Sequence, residues 1–390
     1  MKVVVAPDKF KGTLTAGDAA EAIAEGWRQG DPSARVDVAP LADGGEGTLD
    51  ALAPAMGAAV RRERVTGPMG DPVEAAFGLA GDVGIVEAAR ACGLGLVAER
   101  DRDPLRATTF GVGELIAAAC RAGAARVLVG LGGSATNDGG AGMAQAVGFG
   151  LLDGTGADLP RGGGALAGLD RIDASRVDPA VRAAAFVGLT DVDSPLTGPR
   201  GASKRFAPQK GASNDDVVAL DAALERLADV AEHDLGTPIR DLPGAGAAGG
   251  LGAGLAAFLG ATLESGVRAV MAAVGFASRL DGADLVVTGE GAFDEQSLGG
   301  KVPWAVVREA RARTVPAVVL CGRASVGLAG ATVISLVERF GERRAMEDPA
   351  QCLRRAAFDL ASQWPGGRAD APISTPATRA APSAPPGRAT

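Results

Sequence analysis

The segment Arg126–Met143, RVLVGLGGSATNDGGAGM, joins a strand to a helix through a run of glycines. Val127–Val129 is a short apolar run of buried-strand type. Gly130, Gly132 and Gly133 follow, then Ser134, Thr136, Asn137, Asp138, Gly139 and Gly140. From about Ala141 to Val147 the small-residue pattern is that of a helix. Such a strand, bend and helix start aim backbone N–H groups at an anion, and the glycines let phosphate oxygens approach the chain. Ser134, Thr136, Asn137 and Asp138 add polar side chains that a buried turn does not need. Taken alone, the segment is equally a tight turn with an Asn/Asp cap.

The bulk composition narrows the choice. A chain of 390 residues with 47% hydrophobic content predicts two domains with full-sized cores. The net charge of −8 argues against a nucleic-acid partner, which favours a basic face. No apolar run reaches the roughly 18 residues of a membrane span. The start, MKVVVAPDKF, reads as a first strand and not as a signal peptide. Cys92, Cys120, Cys321 and Cys352 form no CxxC pair and no metal-ligand spacing, as expected of buried thiols in a reduced, cytoplasmic protein. The only histidine is His233, at the end of a charged helix pattern. Acid–base chemistry therefore falls to Asp, Glu or Lys. There are 33 arginines against six lysines. Five of those lysines, Lys9, Lys11, Lys204, Lys210 and Lys301, lie in Gly/Pro/Asp-rich loops, where a compact ammonium acts as a point charge.

In chain order, Val3–Val5 reads as a buried parallel strand and Ala16–Arg28 as a helix capped by Thr15 with Asp18. Val36–Ala39 is a second strand, ending in the glycine loop LADGGEGT. Loops that leave strand C-termini collect ligands in parallel α/β sheets, so Asp8, Lys11, Asp43 and Glu46 are expected on one rim. Ala59–Ala88 carries three short strand-like runs separated by turns, a meander, and a domain crossing is placed near Val65. A long loop with few apolar anchors, Thr190–Ser213, holds Asp191, Asp193, Lys204 and Lys210. Its length inside a compact protein points to function. Leu285–Thr288 and Ala317–Cys321 return to the first strand type, with GEGAFDEQSLGGK between them. Pro365–Thr390 lacks periodicity and reads as a disordered tail.

The P-loop pattern GxxxxGK[ST] is absent, because Glu295 and Val302 stand where Gly and a hydroxyl residue belong. Gly130, Gly132 and Ala135 match a relaxed dinucleotide fingerprint, with Asp153 about twenty residues on. That supports a nicotinamide-dependent dehydrogenase as a rival reading, although TNDGG leaves a helix of barely two turns. The second match, at Gly252, Gly254 and Ala257, lacks a preceding strand and reads as helix packing. Glycine loops, loop lysines and loop carboxylates without a usable histidine fit phosphoryl transfer, which needs positioning, charge neutralisation by Lys and Mg²⁺, and a carboxylate near the attacking hydroxyl.

The motifs APDKFKGTLTA, PLADGGEGT, TGPMGDPVEA, GLGGSATNDGGAGM, DVDSPLTGPRGAS with FAPQKGA, LPGAGAAGGLGAGL and DLVVTGEGAFDEQSLGGK resemble the bacterial glycerate kinase family, the type that forms 2-phosphoglycerate. The resemblance runs from Met1 to about Ser362. It implies ATP-dependent, Mg²⁺-assisted phosphorylation of D-glycerate on an α/β fold of two domains. One is a flavodoxin-like, mostly parallel lobe built from both chain ends, residues 1–64 plus 276–364. The other is an inserted mixed α/β lobe, residues 65–275, and residues 365–390 form the tail. Two positions depart from the family pattern: Ala292 where Arg usually follows GEG, and Lys9 where Ser often stands. Within this reading Lys11 and Lys301 contact phosphates. Gly132, Gly133, Ser134, Asn137, Asp138 and Gly139 cradle them, with Lys210, Glu290 and Asp294 as further nucleotide-binding residues. Asp43 and Asp191 bind Mg²⁺ or activate the hydroxyl. The implied partners are small molecules, ATP and D-glycerate, with neither nucleic acid nor membrane. A dehydrogenase or a non-catalytic metabolite-binding protein are the alternatives.

Overall fold

The structure, a computed structural model, describes residues 1–295 and 297–364. The expected tail, 365–390, lies outside the described residues. In chain order the strands are β1 (Lys2–Val5), β2 (Arg35–Val38), β3 (Ala59–Thr66), β4 (Pro72–Ala80), β5 (Val83–Glu87), β6 (Arg126–Gly130), β7 (Gly150–Leu152), β8 (Arg171–Asp173), β9 (Ala185–Leu189), β10 (Thr262–Glu264), β11 (Leu285–Phe293), β12 (Ala317–Ala324) and β13 (Thr332–Ser335). They form two main sheets and one small hairpin, β7–β8.

The first sheet runs β13-β12-β11-β1-β2 and is wholly parallel. Counted by position along the chain, this is the doubly wound order 2-1-3-4-5, with its switch point between β1 and β11. The strands expected at Val3–Val5, Val36–Ala39, Leu285–Thr288 and Ala317–Cys321 share it, with Val3 opposite both Leu285 and Val36. The second sheet runs β10-β9-β6-β5-β4-β3, parallel from β10 to β5 and antiparallel from β5 to β3. The meander expected over Ala59–Ala88 is present and starts at Ala59, which pairs with Leu79. Its first strand, β3, is an edge strand whose first six residues, AVRRER, are exposed.

Alternation within the strands sorts the core into layers. Val3, Val5, Leu285 and Val287 face the helices Ala16–Gly30 and Pro349–Gln363. Val4 and Val286 point the other way, into a middle layer of the helices Thr48–Met56, Gly266–Ala273 and Val302–Ala312. The same apolar cluster takes in Ala76, Ile85, Val187 and Leu189 of the second sheet. The far face of that sheet packs on Phe110–Arg121 and Ala247–Leu259. Asn214–Leu235, opened by a capping box of Ser213 and Asp216, completes that outer cluster.

The loop Thr190–Ser213 is less open than its composition suggests. It contains the short helix Ala202–Phe206 and a 3₁₀ turn at Pro208–Lys210. Ala202, Ser203 and Ala207 are buried, which supplies anchors that a hydropathy pattern of isolated small residues does not reveal.

The first and last helices meet through glycines. A Cβ on Gly26 would stand 2.0 Å from the carbonyl oxygen of Arg354, and one on Gly30 2.6 Å from that of Phe358. Beside them Trp27 is fully buried and meets Trp364 edge-on. Gly26→Ala is expected to destabilise the fold by about 2 kcal/mol in urea unfolding, since backbone must move to admit one methyl. A loss below about 0.5 kcal/mol would mean that the two helices separate at little cost.

Candidate functional site

Two glycine loops from different sheets meet backbone to backbone. The Gly132 N–H donates to the Gly44 carbonyl at 3.0 Å. A Cβ on Gly132 would stand 2.5 Å from the Cα of Gly45, so no other residue fits there. This contact brings the loop after β6 against the loop after β2, at the C-terminal ends of both parallel strand sets.

The loop Gly130–Gly140 is held from behind. Asp138 is fully buried and accepts from the Thr109 N–H and hydroxyl and from the Gly140 and Gly142 N–H groups, at 2.8–3.1 Å. Burial still pushes its carboxyl above the usual range, against those bonds. Asn137 is also fully buried, donates to the Ser203 hydroxyl at 2.9 Å, and leaves its Oδ1 without a partner. Both residues therefore shape the loop from beneath. Lys210 lies beneath it as well. Its ammonium donates to the Thr136 carbonyl at 2.7 Å and the Ser134 hydroxyl at 3.1 Å. Burial pulls its pKa down to about 8, with Cys92 and Asp138 opposing. It is thus a buried cation with no hydrogen-bonded carboxylate. Gly139 donates to the Gly249 carbonyl at 3.0 Å. The backbone at Ala248, Gly249 and Gly250 is left-handed, and a Cβ on Gly249 would stand 1.9 Å from the Thr136 carbonyl oxygen. Gly254, in the second fingerprint match, likewise packs inside a helix against Gly139.

In front of the glycine contact lies an acidic cluster. The Lys9 ammonium is 3.1 Å from Asp43 Oδ1 and 3.6 Å from Asp8 Oδ1. Burial opposes the charge of both Lys9 and Asp43, yet their attraction outweighs it: the lysine is held above its ordinary range and Asp43 below. Asp8 fares differently. Burial, then the charge of Asp43, pushes it up to about 7. Glu290 is also pushed up to about 7, first by burial and then by Asp294 and Asp43, against a Ser297 hydrogen bond and the Lys301 charge. Glu290 is 6% exposed and its Oε1 has no hydrogen-bond partner. Asp191 is raised mainly by burial, while its oxygens accept from the Ser265 hydroxyl at 2.6 Å and the Val267 N–H at 2.9 Å. It thereby caps the helix Gly266–Ala273.

Two cavities flank this cluster. One of about 770 Å³ is lined by Lys9, Lys11, Thr13, Glu46, Glu87 and Arg90. The other, of about 340 Å³, is lined by Asp191, Arg268, Gly299, Gly300, Trp304 and Arg308. Lys301 is the N-cap of the helix Val302–Ala312, with Pro303 in its first turn. The charge of Lys301 acts on Glu290. Asp294 accepts from the Ser297 N–H at 3.2 Å.

Comparison with known proteins agrees with this geometry. The sequence pattern of the glycerate kinase family matches residues 3–365. The chain belongs to the glycerate kinase family. It is 48% identical to the glycerate kinase of Bacillus subtilis (strain 168) over 83% of this chain and 86% of that one. It is 46% identical to the glycerate 2-kinase of Escherichia coli (strain K12) over 83% and 85%. A crystal structure assigned to glycerate kinase 2 of Salmonella typhimurium LT2 is similar with a TM-score of 0.80 and 42% identity, over 93% of this chain and 97% of that one.

Of the residues expected to act together, the structure places Lys11, Asp43, Asp191, Glu290, Asp294 and Lys301 around the acidic cluster and its two cavities, with Gly132 and Gly133 at the loop contact. Ser134, Asn137, Asp138 and Lys210 form a second tier under the loop. Asp8 lies by Asp43 as expected of one rim, but no pattern in the sequence ties Lys9 to Asp43 across 34 positions. Thr109, which braces Asp138, had no signal beyond its place ahead of a helix.

Among the described residues no group of three or more His, Cys, Asp or Glu side chains forms a metal site. Mg²⁺ does not require one, since it takes one or two carboxylates and completes its shell with phosphate and water. The unpartnered Oε1 of Glu290 beside Asp43 fits that donor chemistry.

Folding raises Glu290 from 4.5 to about 7, so the folded chain holds a proton that the unfolded chain releases between those values. The stability that this group contributes is complete below pH 4.5 and is lost as pH rises through about 7. Glu290→Gln cannot ionise. Its melting temperature is expected to match the wild type near pH 4.5 and to exceed it by a few degrees at about pH 8. The same offset at both pH values would show that ionisation of Glu290 is not what destabilises the folded chain.

Proposed function

We propose that the protein transfers the γ-phosphoryl group of ATP to the 2-hydroxyl of D-glycerate, assisted by Mg²⁺. The observation that carries this reading is the Gly132–Gly44 contact. It sets an anion-directed glycine loop, backed by the buried cation Lys210, directly against a cluster of carboxylates and lysines. Phosphoryl transfer asks for those two things side by side: a cradle for phosphate, and charged groups around the attacking hydroxyl.

In this reading the Gly130–Gly140 backbone holds nucleotide phosphate, and Lys210 braces the loop and adds positive charge from beneath. Lys11 and Lys301 approach from the first-sheet side. Asp43, Asp191 and Glu290 are the residues that would hold Mg²⁺, which when bound neutralises charge on the β- and γ-phosphates. Asp8 or Asp43 accepts the proton of the substrate hydroxyl. We also propose two lobes that follow the sheets, residues 1–58 with 276–364 and 59–275, because β3 pairs within the second sheet.

The dehydrogenase alternative has less support. The helix that the dinucleotide fingerprint needs within its glycines begins only at Ala141. His233 is 86% exposed and bonded to Asp234, far in character from a catalytic base. A binding protein without activity would not need two buried carboxylates, Asp8 and Glu290, beside a lysine-paired Asp43, because buried charge costs stability.

ADP release that depends jointly on D-glycerate and Mg²⁺ tests the reaction, and phosphorus NMR of the product tests the choice of hydroxyl. Lys301→Ala is expected to cut turnover by roughly 10²-fold, equivalent to about 3 kcal/mol of transition-state stabilisation, with the melting temperature barely moved. Lys301→Arg should restore part of it, because a planar fork replaces a point charge poorly in a glycine turn. Near-full turnover of Lys301→Ala at saturating substrates would remove Lys301 from the site.

A further inference from the structure

We propose that Lys9 is a tethered counter-ion: its ammonium occupies the position that a divalent cation takes at Asp43, so the two compete, and the cation site stays closed until nucleotide arrives. The inference rests on the reading of Asp43 as a cation ligand given above.

Three observations carry it. First, the cluster already holds a cation. The Lys9 ammonium bridges Asp43 at 3.1 Å and Asp8 at 3.6 Å, from a side chain only 18% exposed. Second, the cluster is built for more positive charge than Lys9 supplies. The Glu290 carboxylate, 6% exposed, keeps its Oε1 unpartnered and feels the charge of Asp43, and Asp8 in turn feels Glu290. Third, Lys9 has somewhere to go. It lines the cavity of about 770 Å³ together with Lys11, so its flexible stem can carry the ammonium off Asp43 toward an incoming anion.

Two cations cannot share one carboxylate oxygen at contact distance without strong repulsion. In the free protein Lys9 therefore suppresses divalent-cation binding. Nucleotide phosphates give the ammonium an alternative partner and release Asp43. The cation thus enters with the nucleotide rather than ahead of it, and the empty site is shielded from stray metal.

The test measures Mn²⁺ binding to the full-length, nucleotide-free protein by the EPR signal of free Mn²⁺. Lys9→Met is expected to bind Mn²⁺ at least tenfold more tightly than the wild type, with Lys9→Gln as the second variant should Lys9→Met melt early. Lys9→Arg keeps the charge and should bind as weakly as the wild type. Adding Asp43→Asn to Lys9→Met should abolish the gain. No gain in either neutral variant overturns the proposal, and Lys9 is then an ordinary ion pair. If the gain is absent while Asp43→Asn still weakens Mn²⁺ binding in the presence of ATP, the tether fails and Asp43 remains a cation ligand. A gain that survives Asp43→Asn shows that Asp43 is not a ligand, and the proposal falls with that reading.

Discussion

The hydrogen bond from Gly132 N–H to the Gly44 carbonyl is the contact on which the site depends. It joins loops from two separate sheets without any side chain between them. At 2.5 Å from the Cα of Gly45, even a methyl group would push the loops apart. The glycine loops therefore do two jobs. They free N–H groups for an anion, and they let the two parallel strand sets present their C-terminal ends to one space. A side chain at Gly132 would leave each sheet intact and still divide the site in half.

Charge imposes the second constraint. Asp8, Asp43, Asp191 and Glu290 act on one another, with Lys9 against Asp8 and Asp43 and Lys301 acting on Glu290. Burying that much negative charge works against folding, since each carboxylate gives up water. The cluster divides the strain unevenly. Asp43 stays ionised because Lys9 touches it, while Asp8 and Glu290 are left near the point of protonation at neutral pH. An arrangement poised in this way suits a site that gains cations with its substrate, and it is costly in a site that does not.

Much of this was legible in the sequence, for physical reasons that differ by element. The parallel strands announced themselves as continuous valine runs, because both their faces are buried. The glycine loop announced itself because only glycine tolerates the close approaches found at Gly132 and Gly249. The meander was legible from the turns that break it, although β3 is an exposed edge strand with few apolar residues. The burial of Asp138 and Asn137 beneath the loop was not legible. A polar residue in a glycine loop looks the same whether it faces a ligand or braces the loop from below, and only burial separates the two. The Lys9–Asp43 pair was invisible because it is a contact between two loops whose own sequences carry no mark of it.

The middle layer of helices limits how this site can close. One apolar cluster runs from Val4 and Val286 of the first sheet, through the helices Thr48–Met56, Gly266–Ala273 and Val302–Ala312, to Ala76, Ile85 and Val187 of the second. Swinging the sheets apart as rigid bodies would expose this cluster to water, at roughly 25 cal/mol for each Å² of apolar surface. The loop Lys9–Thr15 carries little of that burden outside Phe10. Lys11, Gly12 and Thr13 are exposed, and the loop ends at a firm point, the capped helix at Thr15. Movement around the site is therefore cheapest in that loop, which carries Lys9 and Lys11, while the Gly132–Gly44 contact and the core behind it stay fixed.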